Sequence, residues 1–245
     1  MKKILLITLL VMFSLSVISL DVDIPADKSD AVLKQYQEVL SDSKDLKNRL
    51  RDLIAKGHKN LGYKKARAYM FLTLFNENGK VEGQYTGKVL AVKDSLPNAN
   101  VMNTEHIWPQ SRFGRNLVDL KKCDLHHLMP TDSKVNSRRG NYPFGVVISS
   151  IYQRKGSMLG YDVYRKLVFE PRDEVKGDIA RAMFYFSIRY STLLDDRQEN
   201  TLRKWSKLDP VDDKERKRNK MIFEFQGNRN PFIDVPGLES RIRDF

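Results

Sequence analysis

From Asn103 to Gly145 the chain loses the helical periodicity it carries on both sides, and this interruption constrains the fold more than any other feature. Before it, Val32, Leu33, Tyr36, Val39 and Leu40 recur at helical spacing from Ser29, and Leu46, Leu50, Leu53 and Ile54 resume the pattern, which predicts two amphipathic helices. A third helix runs from Tyr63 through Met70 and Leu74 to Phe75, where Asn76 to Gly79 stop it with polar turn residues. Residues 81–92 alternate loosely and predict short strands. After the interruption, Gly177 to Tyr190 is apolar on almost every side, as a core helix requires, so its aromatic residues are packing. Asp209 and Pro210 read as the cap and first turn of a charged helix carrying Met221, Ile222 and Phe225 and ending at Gly227. Asn228 to Asp234 reads as a loop that locks the fold through turn hydrogen bonds. The pattern predicts an α+β chain, mostly helical, with a small irregular centre.

The N-terminus carries a different message. Lys2 and Lys3 precede an apolar run from Ile4 to Val17 that ends among small residues, the order of a secretory signal peptide over 1–19. The remaining 20–245 show no second composition regime and read as a single domain. Loss of the leader removes two lysines and takes the net charge from +12 to +10, which favours polyanionic partners. Cys123 is the only cysteine, so no internal disulfide forms and an exported chain must rely on its core. At 41% hydrophobic residues, that core is available.

Three of the four histidines fall in two short blocks, Asn103-Thr-Glu-His-Ile-Trp-Pro-Gln-Ser111 and Asp124-Leu-His-His-Leu128, and a third block, Lys134-Val-Asn-Ser-Arg-Arg-Gly-Asn-Tyr-Pro-Phe-Gly145, comes directly after them. These residue types suit phosphodiester cleavage. The reaction needs a base for water, a cation against charge growing on phosphoryl oxygens, and help for the departing alkoxide. A neutral imidazole is the base nearest to neutral pH. Magnesium asks for only one or two protein oxygens, which one carboxylate and one amide carbonyl supply. Arginines add planar donors to phosphate.

The three blocks resemble the endonuclease I family of periplasmic and extracellular nucleases, members of the ββα-metal (His-Me finger) group. Later stretches, Gly177 to Tyr185 and Gln226 to Asp234, extend the likeness over most of the mature chain. The resemblance implies a ββα-metal core at about 103–145 embedded in helices, with the Glu-His and His-His blocks on its two strands and Asn136 on its helix. By the same resemblance His106 is the general base, while Glu105 and Asn136 hold a single Mg2+, for which Mn2+ or Ca2+ can substitute. Products carry 5′-phosphates, and DNA or RNA is held by its backbone more than by its bases. His126, His127 and Asp124 are read as supporting residues, one histidine packing and the other exposed. The phosphate-stabilising arginine of some relatives sits in a longer insertion than Ser111 to Cys123 provides, so Arg112, Arg115, Arg138 and Arg139 are candidates on charge alone.

Neighbours on a regular strand face opposite ways, so Glu105 and His106 reach one phosphate only from a bend or strand end, which Pro109 favours. Asn136 should project from a short helix capped by Thr131 or Asp132. The expectation is an exported monomer without a membrane anchor after leader removal. Two rivals remain: a zinc hydrolase built on His106, His126 and His127, and a basic nucleic-acid-binding protein without catalysis.

Overall fold

The computed structural model describes residues 29–41 and 45–245, so the leader expected over 1–19 lies outside the described residues. Helices α1 (Ser29–Leu40) and α2 (Leu46–Ala55) form where apolar spacing placed them, with Tyr36, Leu40, Leu46, Leu50 and Ile54 buried. Helix α3 (Tyr63–Tyr69) widens into a π-helical turn over Met70–Leu74, an insertion that puts the consecutive Met70 and Phe71 both into the core. The polar residues after it do more than stop a helix. Asn78 and Gly79 both adopt positive φ, the requirement of a two-residue hairpin turn, and join β1 (Asn76–Glu77) to β2 (Lys80–Gly83). With β3 (Lys88–Ala91) these make an antiparallel sheet in the order β1-β2-β3.

The aperiodic centre forms a strand–strand–helix unit. Strand β4 (Met102–His106) pairs antiparallel with β5 (Leu128–Asp132), Met102 opposite Asp132 and His106 opposite Leu128, with helix α4 (Val118–Cys123) between them in sequence. Helix α5 (Ser133–Arg139) leaves β5 directly, its start fixed by the Asp132 carboxylate accepting from Lys134 N and Val135 N. The two histidines predicted on the second strand instead occupy a 3-10 turn, Leu125–His127, just before it. Asp124 accepts the His126 amide there, and this Asx-type cap bends the chain before the strand begins.

Strands β6 (Ser149–Arg154), β7 (Ser157–Tyr161) and β8 (Leu167–Glu170) form a second antiparallel sheet that the sequence pattern did not announce. Helix α6 (Lys176–Tyr190) is the buried centre, with Ile179, Met183, Phe184, Tyr185, Phe186 and Ile188 all enclosed, and it packs on α2 and on α7 (Asp196–Leu208). Helix α8 (Asp213–Gln226) starts later than predicted. Asp209 closes α7 instead, its carboxylate accepting from Gly177 N at 2.7 Å, and Asp212 caps α8 by accepting from Glu215 N at 2.7 Å. Two aspartates compete for one cap, and the docking of α7 against the start of α6 takes the first.

Asn228 to Asp234 does lock the fold, as its polar turn residues predict. Arg229 grips the Asp234 carboxylate with Nε at 2.7 Å and Nη2 at 2.6 Å, while Asn230 caps the single turn α9 (Pro231–Asp234) and donates to Arg181 O at 3.1 Å. The α6–α7 contact yields a stability prediction. A Cβ on Gly177 would lie 1.9 Å from Asp209 O and 2.6 Å from Arg181 Nη2, so Gly177→Ala must push α6 away from that corner. The expected loss is about 1–3 kcal/mol in urea unfolding; an unchanged midpoint would show that the corner yields freely.

Candidate active site

Strand β4 ends at His106, although Ile107 N still donates to His127 O at 3.0 Å. Trp108 and Pro109 then turn the chain into a 3-10 turn over Gln110–Arg112. Because the strand stops there, Glu105 and His106 both reach one side, where they line a cleft of about 450 Å³ together with Thr104, Gln110, Asn136 and Arg139. Residues of the Glu-His block and of α5 thus meet at one opening. Arg115, Arg138, Asp124, His126 and His127 are not part of its wall.

His106 is held by its edge. Its Nε2 lies 3.1 Å from Lys122 O, and a carbonyl can only accept, so the ring proton sits on Nε2. That leaves Nδ1 with a lone pair, 3.2 Å from the Gln110 amide nitrogen, which donates to it. Tyr63 stacks on the ring at 5.6 Å between centroids, and Phe113 and His127 meet it at 6.0 and 5.6 Å. Burial first, then the His127 ring and nearby cations, push its pKa down to about 3. The imidazole is therefore neutral at ordinary pH.

Glu105 is buried, and its Oε1 accepts from the Tyr85 hydroxyl at 2.9 Å and pairs with Arg139 Nη1 at 3.2 Å. Burial raises its pKa, opposed by Arg139 and by the Tyr85 hydrogen bond. Among the described residues Oε2 has no hydrogen-bond partner. Asn136 shows the same division of labour. Its amide nitrogen donates to Asn103 Oδ1 at 2.8 Å and Thr104 O at 3.3 Å, which fixes the side chain and, among the described residues, leaves Oδ1 without a partner. The cleft thus has two uncommitted hard oxygens, one anionic and one neutral, the donor set that magnesium tolerates with so few protein ligands.

The four arginine candidates separate sharply. Arg139 is fully buried, donating to Ile107 O at 2.7 Å and Gly140 O at 3.2 Å, pairing with Glu105, and lying 4.6 Å over the Phe144 ring. Its guanidinium pairs with Glu105 and with backbone at the cleft wall, where charge alone had made it a phosphate candidate. Arg138 is exposed and rests over the Tyr152 ring at 5.5 Å. Arg112 is exposed and lines the recess next to the cleft with Trp108 and Pro109. Arg115 lies on an exposed loop.

Both adjacent histidines are buried, so neither is the exposed one expected. His126 Nε2 donates to Asn228 O at 3.0 Å and His127 Nε2 to Lys121 O at 2.5 Å, each tied to backbone. Among the described residues no three His, Cys, Asp or Glu side chains gather for a metal, so the zinc trio has no geometric support. Asp124 lies beneath, accepting from the Tyr185 and Tyr190 hydroxyls at 2.9 and 2.8 Å and from Gln226 Nε2 at 2.8 Å. Tyr85, Tyr63 and the Lys122 carbonyl escaped the sequence reading. Tyr85 comes just after β2 in another sheet, and no spacing rule connects it to Glu105; Gln110 stands in the Glu-His block but has no distinguishing chemistry of its own.

Known proteins resemble this chain in sequence. The sequence profile described as Endonuclease I matches residues 33–237. An extracellular ribonuclease of Bacillus subtilis (strain 168) is 39% identical over 57% of this chain and 53% of its own length, and one from Bacillus amyloliquefaciens is 38% identical over 62% and 57%. An extracellular deoxyribonuclease of Aeromonas hydrophila is 32% identical over 56% of this chain and 67% of its own. The chain therefore spans little more than half the length of the two ribonucleases.

Proposed function

The chain belongs to the Endonuclease I family, and from that premise we propose that it is an exported endonuclease that uses one divalent cation, Mg2+ in the first place, to hydrolyse DNA and RNA with little sequence preference. The observation that carries this reading is the meeting, in one cleft, of an unprotonated His106 Nδ1 with oxygens of Glu105 and Asn136 that have no hydrogen-bond partner among the described residues. On this reading β4, β5 and α5 are a ββα-metal core, and Glu105 and Asn136 are the residues that hold the ion.

His106 acts first. Water displaces the Gln110 amide from Nδ1, and the imidazole takes its proton as the oxygen attacks phosphorus. The Lys122 carbonyl fixes the ring and favours the imidazolium that results. Asn103 and Thr104 keep the Asn136 carbonyl aimed outward, and Tyr85 with Arg139 keep Glu105 from turning away. A bound Mg2+ supplies positive charge against the phosphoryl and leaving oxygens. Breaking the bond between phosphorus and the 3′ oxygen, which leaves as the alkoxide and is protonated to a 3′-hydroxyl, gives 5′-phosphates. Arg112, exposed beside the cleft, is the arginine placed to meet a neighbouring phosphate.

Relatives named for action on RNA and on DNA both support a site that reads backbone rather than sugar. Export fits their extracellular names, and among the described residues no helix is long and apolar enough to cross a membrane. The test is cleavage of plasmid and RNA by the purified protein with Mg2+, with Zn2+ and with chelator. Both substrates should be cut with Mg2+ and neither with chelator. Activity restored by Zn2+ alone would overturn the ligand assignment, and a protein that shifts DNA without cutting it would overturn catalysis.

A further inference from the structure

The cleft does not end at its own wall. A recess of about 280 Å³ shares Pro109 and Arg139 with it and adds Trp108, Arg112 and Tyr142. Beyond the recess lies a groove of about 1170 Å³ that shares Tyr142, Pro143, Asp195 and Gln198 with it. Three neighbouring depressions with shared walls thus lie between His106 and the groove formed by the β7–β8 turn and the first half of α7.

Exposed apolar side chains gather along this path. Val146 is 50% exposed, Val163 67% and Tyr164 63% in the groove, and Leu193 72% in the recess. Scattered exposed apolar residues need no explanation, but several of them gathered on one groove and the recess beside it suit a binding surface. Tyr164 is presented deliberately: the Asp162 carboxylate accepts from Tyr164 N at 2.9 Å and Lys166 N at 2.8 Å, holding the turn at whose tip the ring stands. The Arg197 guanidinium lies over that ring at 4.9 Å from its centroid. Lys166 and Lys204 are exposed on the same groove, and Arg112 stands in the recess that leads to it. Of the three acids along the groove, Asp162 and Asp195 turn their carboxylates to backbone amides, which leaves exposed Asp196 as the acid without such a role.

We propose that this groove binds a single-stranded stretch of the substrate next to the scissile phosphate, with an unpaired base stacked on Tyr164 and phosphates on Arg112, Lys166 and Lys204. The inference rests on the nuclease reading of the cleft. It selects single strands because an aromatic face can stack only on a base that has left its duplex, and any base has a face to offer. Arg197 stiffens the platform from one side and adds positive charge beside it. The sequence-tolerant contact agrees with a site that reads backbone.

The test uses the full chain, three substrates and two readouts. Turnover is measured on a long single-stranded oligonucleotide, on a duplex of the same length, and on bis-nitrophenyl phosphate, which fills the cleft alone. Binding is measured by fluorescence anisotropy of the labelled oligonucleotide with chelator present. Tyr164→Ala should weaken single-strand binding, and raise its KM, by about 5- to 100-fold. Duplex binding and ester turnover should stay unchanged, and Tyr164→Trp should restore binding. Unaltered single-strand affinity in Tyr164→Ala, or equal losses on single strand and duplex, overturns the groove assignment. A wild type that binds the oligonucleotide through Tyr164 yet hydrolyses none of the three substrates overturns the nuclease reading instead, leaving the groove as a binding site.

Discussion

Alanine at His106 is expected to lower turnover of DNA and RNA by about 10²- to 10⁴-fold, the range that a positioned general base contributes. KM should hardly move. Gln110 loses its partner in this variant, but the two oxygens keep theirs: Glu105 keeps Tyr85 and Arg139, and Asn136 keeps Asn103 and Thr104. The imidazole touches Tyr63, Phe113 and His127, so its loss opens a small void at the end of β4. The thermal midpoint should accordingly fall modestly, while oligonucleotide affinity measured with chelator stays at the wild-type value. A His106→Ala protein that retains kcat but loses affinity would reassign His106 from base to binding residue. Loss of kcat and of folded structure together would leave its chemistry unassigned, and Gln110→Ala separates the cases, because it alters the lone-pair environment of Nδ1 without removing the ring.

The readable parts of this molecule are those in which chemistry and local structure occupy the same few residues. Glu105, His106 and Asn136 belong to contiguous blocks, and the strand end at His106 is required by the geometry of alternating side chains alone. The Asp132 cap of α5 is equally local. Where two local signals competed, sequence could not arbitrate: Asp209 and Asp212 are both competent caps, and only the fit of α7 against Gly177 decides between them. Charge was the least transferable signal. Arg138 and Arg139 are neighbours of identical type, yet one lies over Tyr152 in solvent and the other is buried against Glu105, a difference made by which face of α5 meets β4. The β6–β8 sheet was invisible for a related reason. Its first strand is exposed on both faces and so lacks an alternation to read, and β8 is seated by a bridge between Phe169 and Phe144, residues far apart in sequence. Tyr85, which steadies Glu105 from another sheet, illustrates the same limit for the site itself.

Asp124→Asn is expected to cost about 3–5 kcal/mol of folding stability, because hydrogen bonds to a charged acceptor are the strong ones and an amide cannot accept from all the donors aimed at it. Four groups converge on this carboxylate: the Tyr185 and Tyr190 hydroxyls, the Gln226 amide and the His126 backbone N–H. They tie α6, α8 and the histidine turn into one buried network, so the loss should appear as a lower urea midpoint for the whole chain. Burial works against the charge on Asp124, but His58, His126, His127 and the Gln226 amide more than offset it and hold its pKa well below the usual carboxylate range. A depressed folded pKa means that the unfolded chain binds the proton more tightly. The stabilisation is therefore complete above the unfolded value of about 3.9 and lost as pH falls below it. His126 adds an earlier loss of the same sign: burial pushes its pKa down to about 4, so stability falls as pH drops from about 6.5 toward that value. Urea unfolding across this range should show a wild-type advantage over Asp124→Asn that persists through neutral pH and closes only below about pH 4. An advantage that instead grew as pH fell from 7 to 5 would mean that Asp124 takes up a proton in the native protein and that the network is held by a neutral acid.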